Sequence, residues 1–68
     1  MKHVSGKRLA QIAADKGWIF ISQGGSHTKY RDPLTGRSII IPIHGNRDLK
    51  AGLQHHLMRV LEITDADL

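Results

Sequence analysis

The chain has 68 residues, of which 40% are hydrophobic and 24% are charged, and it contains no cysteine. A chain of this length forms one domain that buries only roughly 60% of its unfolded surface, which excludes a deep active-site cavity and leaves an open face or a shallow groove for chemistry. Neither disulfides nor a thiolate metal site stabilises the fold, and a reducing cytoplasm is the expected location. The longest apolar run, Ile39 to Ile43, is too short to cross a bilayer, and the N-terminal residues lack the apolar core of a signal peptide.

Positive charge is concentrated in most of the chain. Residues 1–61 hold ten Lys or Arg and only three Asp, whereas Glu62, Asp65 and Asp67 follow near the C-terminus. Such an excess favours a polyanionic partner, because each neutralised phosphate releases condensed counterions. The distribution therefore favours nucleic acid, although small domains are also often basic for solubility alone.

Helical periodicity marks two segments. Ser5 is the expected N-cap of a first helix that stops at Gly17. A second helix is predicted from Lys50 to Leu61, and Thr64 is expected to cap a short turn at the C-terminus. The predicted apolar stripe of the second helix consists of Leu53, Leu57, Val60 and Leu61.

Three segments between the helices are rich in β-branched and aromatic residues and are predicted strands. They cover residues 18–23, 27–31 and 37–43. A Gly-Gly-Ser turn joins the first two, and a loop with proline and glycine in turn positions joins the last two. The sequence therefore predicts an α+β domain of order α-β-β-β-α, with two helices on one face of a three-stranded antiparallel sheet and the other face in water.

Alternation along the second strand predicts which of its side chains face the solvent. Tyr30 is expected to point towards the helices, so His27, Lys29 and Arg31 are expected to point away together. A register shift of one residue would reverse this assignment. In the unshifted register, the open face presents an imidazole beside two cations, which suits a phosphodiester. The third-strand residues expected in the core are Ile39, Ile41 and Ile43, and Ser38 and Ile40 are expected outside it.

His27 is the main candidate for chemistry. It follows Gly25 and Ser26, and a glycine turn lets the backbone approach a ligand and direct N–H groups at a phosphate. Histidine is well suited to proton transfer near neutral pH. RNA supplies its own nucleophile, the 2′-OH, so that a base and nearby cations suffice without a metal. An ordinary surface histidine beside a turn fits the same residues.

The other histidines give weaker signals. His44 follows the third strand and would approach His27 only if the strand ends coincide; loop hydrogen bonds or a phosphate contact are its expected roles. His55 and His56 are adjacent on a helix and point in different directions, and His3 lies in a terminus expected to be mobile. No metal-binding spacing or catalytic carboxylate pair occurs, so no cofactor is expected. Trp18 is expected in the core.

Five short motifs follow one another along the chain. They are Ser5-Gly6-Lys7, Gly17-Trp18, Gly25-Ser26-His27-Thr28-Lys29-Tyr30, Ile41-Pro42-Ile43-His44-Gly45-Asn46 and Leu49-Lys50-Ala51-Gly52. With this set the chain resembles the HicA-type toxins of bacterial toxin–antitoxin pairs, from about Ser5 to Leu68. The chain departs from the family at Ala51-Gly52-Leu53-Gln54, where members often have Pro-Gly-Thr-Leu, and this leaves the packing of the second helix open.

The resemblance implies a fold like that of a double-stranded-RNA-binding domain and an activity that cleaves mRNA and arrests translation. It implies that His27 is the catalytic residue and that no metal cofactor takes part. It also implies a cognate HicB-type antitoxin, which binds the toxin monomer in a hetero-oligomeric complex and blocks the site.

The combined expectation is an endoribonuclease in which His27 acts as general base or acid, while Lys29 and Arg31 hold the phosphate and stabilise developing charge. His44 is the candidate for a second proton-transfer group. The expected RNA-binding residues are Lys29, Arg31, Gly25, Ser26 and His44. Two alternatives remain open: a non-catalytic RNA-binding module that uses the same basic face, and a protein-binding domain that only pairs with an antitoxin.

Overall fold

The computed structural model describes residues 2–68. Its elements are α1 (Gly6–Asp15), β1 (Ile19–Gly24), β2 (His27–Arg31), β3 (Ser38–Pro42), α2 (Ala51–Leu61) and a short 3₁₀ helix (Asp65–Asp67). The predicted α+β class and the order α-β-β-β-α are confirmed. Within the described residues, neither α-helix is long and apolar enough to span a membrane.

The strands form one antiparallel sheet in the order β1-β2-β3, so β2 is central. His27 at the start of β2 pairs with Pro42 at the end of β3. Burial alternates along β2 as predicted: Thr28 is buried and Tyr30 is partly buried, whereas His27, Lys29 and Arg31 are exposed. The register assumed from the sequence is therefore confirmed.

The core lies between the two helices and one face of the sheet. Leu9 and Ala13 of α1 and Ile41 of β3 are completely buried, and Trp18 is buried as predicted. Burying an aliphatic side chain of this size stabilises a fold by roughly 1.5–3 kcal/mol, so this face holds the small domain together. Ile39 is also buried, as predicted.

Helix α1 begins where the sequence predicts. The Ser5 side-chain oxygen accepts a hydrogen bond from the Arg8 backbone N–H at 3.1 Å, which satisfies one of the free donors of the first turn. At the other end, Gly17 has a φ of +95° and the Trp18 N–H donates to the Ala13 carbonyl at 3.0 Å. This glycine therefore turns the chain from α1 into β1.

The predicted apolar stripe of α2 is wrong at its first position. Leu57 and Leu61 are buried, but Leu53 is 36% exposed, whereas Gln54 has no exposed surface and Met58 is buried beside it. The reason is a hydrogen-bond arrangement that holds the Gln54 amide in the interior. A buried amide is tolerated only when its polar atoms have partners.

Those partners come from the N-terminal segment. The Gln54 Oε1 accepts from the Val4 N–H at 3.1 Å, and its Nε2 donates to the Lys2 carbonyl. The Val4 carbonyl in turn accepts from the Leu49 N–H at 2.9 Å. The expectation of a mobile terminus around His3 is therefore corrected, because the backbone on both sides of His3 is hydrogen-bonded to the folded domain.

Candidate active site

The β1–β2 hairpin turn determines where His27 stands. Gly24 pairs with His27, and the two residues between them form the turn. Gly25 has a φ of +58°, a left-handed conformation that glycine adopts without steric cost. The Ser26 carbonyl accepts from the Ile43 N–H at 2.6 Å, so the turn is also attached to the chain that leaves β3.

Lys29 and Arg31 follow His27 on the exposed face of β2. Successive residues on one face of a strand are separated by about 6.5–7 Å along the chain, so the three side chains form a row. Lys29 and Arg31 line a shallow depression of about 270 Å³, together with Ile21, Gly36 and Ser38. Within residues 2–68 neither cation forms an ion pair, which leaves both available to an anionic ligand.

The β2–β3 register places the end of β3 beside the start of β2, and His44 could approach His27 only with such an arrangement. Pro42 lies directly opposite His27, and His44 follows two residues later. No hydrogen bond joins the two imidazoles. His44 instead lines a groove of about 370 Å³, together with Pro42, Arg47, Asp48, Leu49, Lys50 and Leu53.

Apolar side chains stand among the cations of the open face. Ile40 pairs with Lys29 and is 46% exposed, and Ile21 on β1 is 48% exposed. Phe20 pairs with Tyr30 on the opposite face of the sheet, where it is half exposed and contacts the Tyr30 ring edge-on at a centroid distance of 5.8 Å. The open face therefore combines positive charge with apolar surface. The sequence predicted its charge and the exposure of Ile40, but it did not predict the exposure of Ile21 on β1.

The remaining histidines lie outside β2, although His56 lines a depression at the edge of β3 together with Ser38 and Ile40. His55 and His56 are exposed on α2, and His3 is exposed beside Val4. In the part of the chain that the structure describes, no group of three or more histidine or acidic side chains is arranged as metal ligands. The histidine that belongs to the row of cations is His27.

These features define a class of protein: a small α+β domain that carries a histidine and two unpaired cations on the open face of its sheet. The family model described as "HicA toxin of bacterial toxin-antitoxin" matches residues 6–63. The chain therefore belongs to the HicA toxin family of bacterial toxin–antitoxin systems. Comparisons with curated proteins and with solved structures give no significant match.

Proposed function

We propose that this protein is the toxin of a toxin–antitoxin pair and acts as a metal-independent endoribonuclease that cleaves mRNA in the cytoplasm and so arrests translation. The observation that carries the proposal is the placement of His27, Lys29 and Arg31 in one row on the exposed face of β2. A proton-transfer group beside two unpaired cations is what cleavage at a phosphodiester requires. Membership of the HicA toxin family supports the same reading.

In the proposed reaction His27 takes the proton from a ribose 2′-OH. The 2′ oxygen forms a bond to the adjacent phosphorus, and the bond from phosphorus to the 5′ oxygen of the next nucleotide breaks. The products are a 2′,3′-cyclic phosphate and a 5′-hydroxyl, whose oxygen needs a proton. His44 is the proposed donor, because it follows Pro42, the residue opposite His27.

The neighbouring residues bind the phosphate in this proposal. Lys29 and Arg31 neutralise it and stabilise the additional negative charge that develops during attack, an effect that is strongest where donors are already in place. Gly25 allows the RNA backbone to approach the turn closely, since no atom lies within 4 Å of the position that a Cβ would occupy there, and Ser26 offers only a small hydroxymethyl group. The proposed binding set is therefore contiguous along the hairpin and β2.

The proposed protein partner is a HicB-type antitoxin. The open face is shallow, so a small protein can cover it completely, and the exposed Ile21 and Ile40 offer apolar surface for such a contact. The proposed complex contains the toxin as a monomer within a hetero-oligomer.

The reaction is tested with matched substrates in EDTA. The protein is incubated with an RNA, with the same sequence carrying 2′-O-methyl groups, and with the corresponding DNA. The proposal predicts cleavage of the RNA alone, with a cyclic phosphate on the upstream product. Cleavage of the 2′-O-methyl strand would exclude the 2′-OH as nucleophile. RNA that is bound but uncut would favour the non-catalytic RNA-binding module.

A further inference from the structure

A groove separates the end of β3 from the start of α2. Its volume is about 370 Å³. Three basic side chains and three apolar ones line it, with Asp48 as the single acid: His44, Arg47, Lys50, Pro42, Leu49 and Leu53. We propose that this groove binds the RNA nucleotide next to the scissile phosphate, with Arg47 and Lys50 on its phosphate and Leu53 against its base. The inference rests on the proposed ribonuclease function.

The groove is continuous with the candidate active site. Pro42 forms one of its walls, and Pro42 is directly opposite His27 in the sheet. Directly opposed residues have their Cβ atoms about 5 Å apart on the same face of a sheet. The Pro42 wall of the groove is therefore about one strand spacing from His27. The hydrogen bond of 2.6 Å between Ile43 N–H and Ser26 carbonyl holds the two parts together. A strand of RNA with a phosphate at His27 therefore has its next nucleotide at the groove.

The charges in the groove are available to a ligand. Within residues 2–68 neither Arg47 nor Lys50 forms an ion pair or a side-chain hydrogen bond. The loop that carries Arg47 contains a hydrogen-bonded turn, in which Gly45 has a φ of +56° and the Arg47 N–H donates to the His44 carbonyl at 3.0 Å. Both cations are therefore available for charge-assisted hydrogen bonds to a phosphate.

Leu53 contributes to the apolar lining of the groove. Leu53 is 36% exposed and faces the groove, while Gln54 beside it takes the interior position. A wall that is apolar with a basic rim matches a nucleotide, which presents an uncharged flat base and a charged phosphate. A volume of about 370 Å³ is in the range that holds a small ligand such as one nucleotide.

The test measures binding without cleavage. Affinity for a short mixed-sequence single-stranded RNA is determined over a range of salt concentrations in the His27→Ala background. Arg47→Gln and Lys50→Gln are each expected to weaken binding about twofold to fivefold and to reduce the salt slope by about 0.7. Leu53→Ala is expected to weaken binding without changing the slope, because it removes no charge.

The matched control is Arg59→Gln, which removes the same charge at the other end of α2, about 13 Å from Lys50 along the helix axis. It is expected to bind RNA with the affinity and salt slope of the parent. The inference is overturned if Arg47→Gln and Lys50→Gln both behave like this control. An accompanying loss of antitoxin binding would assign the groove to the protein partner instead. Failure of the wild type to cleave RNA would refute the proposed ribonuclease function, and cleavage by the His27→Ala parent would refute the role of His27. Neither outcome changes the binding comparison, which decides the groove.

Discussion

Gly6 in the first turn of α1 packs directly against the carbonyl group of Pro42, the residue that pairs with His27 across the sheet. A Cβ at Gly6 would overlap the Pro42 carbonyl oxygen and lie 3.4 Å from the Cα of Ile43. The obstacle is backbone, which cannot swing aside as a side chain can. The contact therefore connects the first helix to the strand end that positions His27.

Gly6→Ala is expected to destabilise the fold by roughly 1–3 kcal/mol, because the added methyl group forces the helix and β3 apart. The matched control is Gly52→Ala in the first turn of α2, where no atom lies within 4 Å of an added Cβ. That variant is expected to be stabilised by about 0.5–1 kcal/mol, since alanine favours the helix over glycine. Urea unfolding of both variants makes the comparison, and equal stabilisation would contradict the close packing at Gly6.

Gln54→Leu is expected to cost roughly 1–3 kcal/mol of the free energy of unfolding, although leucine is apolar and similar in size. The substitution leaves the buried Val4 N–H without its acceptor. The measurements are urea unfolding and hydrogen exchange of the Val4 amide, which should accelerate. Gln11→Leu on the exposed side of α1 is the control and is expected to change stability by less than about 0.5 kcal/mol. A fully stable Gln54→Leu variant with a protected Val4 amide would contradict the role assigned to Gln54.

Asp67 links the C-terminal 3₁₀ helix to α1. The hydrogen bond from the Thr64 N–H and the ion pair with Lys16 at 3.1 Å lower the pKa of its carboxyl group below the ordinary value of 3.8. Because the pKa is lower in the folded state, the stabilisation is present above pH 3.8 and is lost as the pH falls through the lowered pKa.

The expected result is a stability difference between the wild type and Asp67→Asn that is present at neutral pH and shrinks below pH 3.8. The measurement is the free energy of unfolding as a function of pH for both proteins. A difference that stays constant down to the acid limit of folding would show that the charge on Asp67 contributes nothing.

Lys29→Gln and Arg31→Gln are each expected to weaken RNA binding to a similar extent for all sequences. Each variant should also reduce the salt slope by about 0.7, because one fewer phosphate is neutralised on a single strand. Fluorescence anisotropy at several salt concentrations measures both quantities, with Arg59→Gln as the charge-matched control. An unchanged slope in both variants would remove the open face of β2 from the RNA-binding site.

The two faces of β2 could be predicted from the sequence because the strand is central and has one buried face. Under those conditions, burial has a period of two, and the single aromatic residue Tyr30 identifies the inner side. The exposure of His27, Lys29 and Arg31 then follows from local pattern alone. Their chemical roles stay predictions, since exposure and charge are necessary for catalysis but do not demonstrate it.

The sequence was less informative where partners are distant along the chain. The polarity of Gln54 predicts a surface position. Its hydrogen-bond partners, however, belong to Lys2 and Val4, about fifty positions earlier in the chain. Nothing in the sequence around Gln54 signals that pairing. Because Gln54 takes the interior position, Leu53 faces the groove instead. The groove could therefore not be predicted from the residues around Leu53 alone.

Cleavage of a mixed-sequence RNA by purified protein in EDTA, measured for the wild type, His27→Ala and His55→Ala, tests the central claim most directly. Circular dichroism and thermal unfolding establish that the variants are folded, which the exposure of both side chains leads us to expect. Cleavage is expected for the wild type and for His55→Ala, and none is expected for a folded His27→Ala. Equal cleavage by all three proteins would contradict the role of His27, because the reacting group would then lie elsewhere.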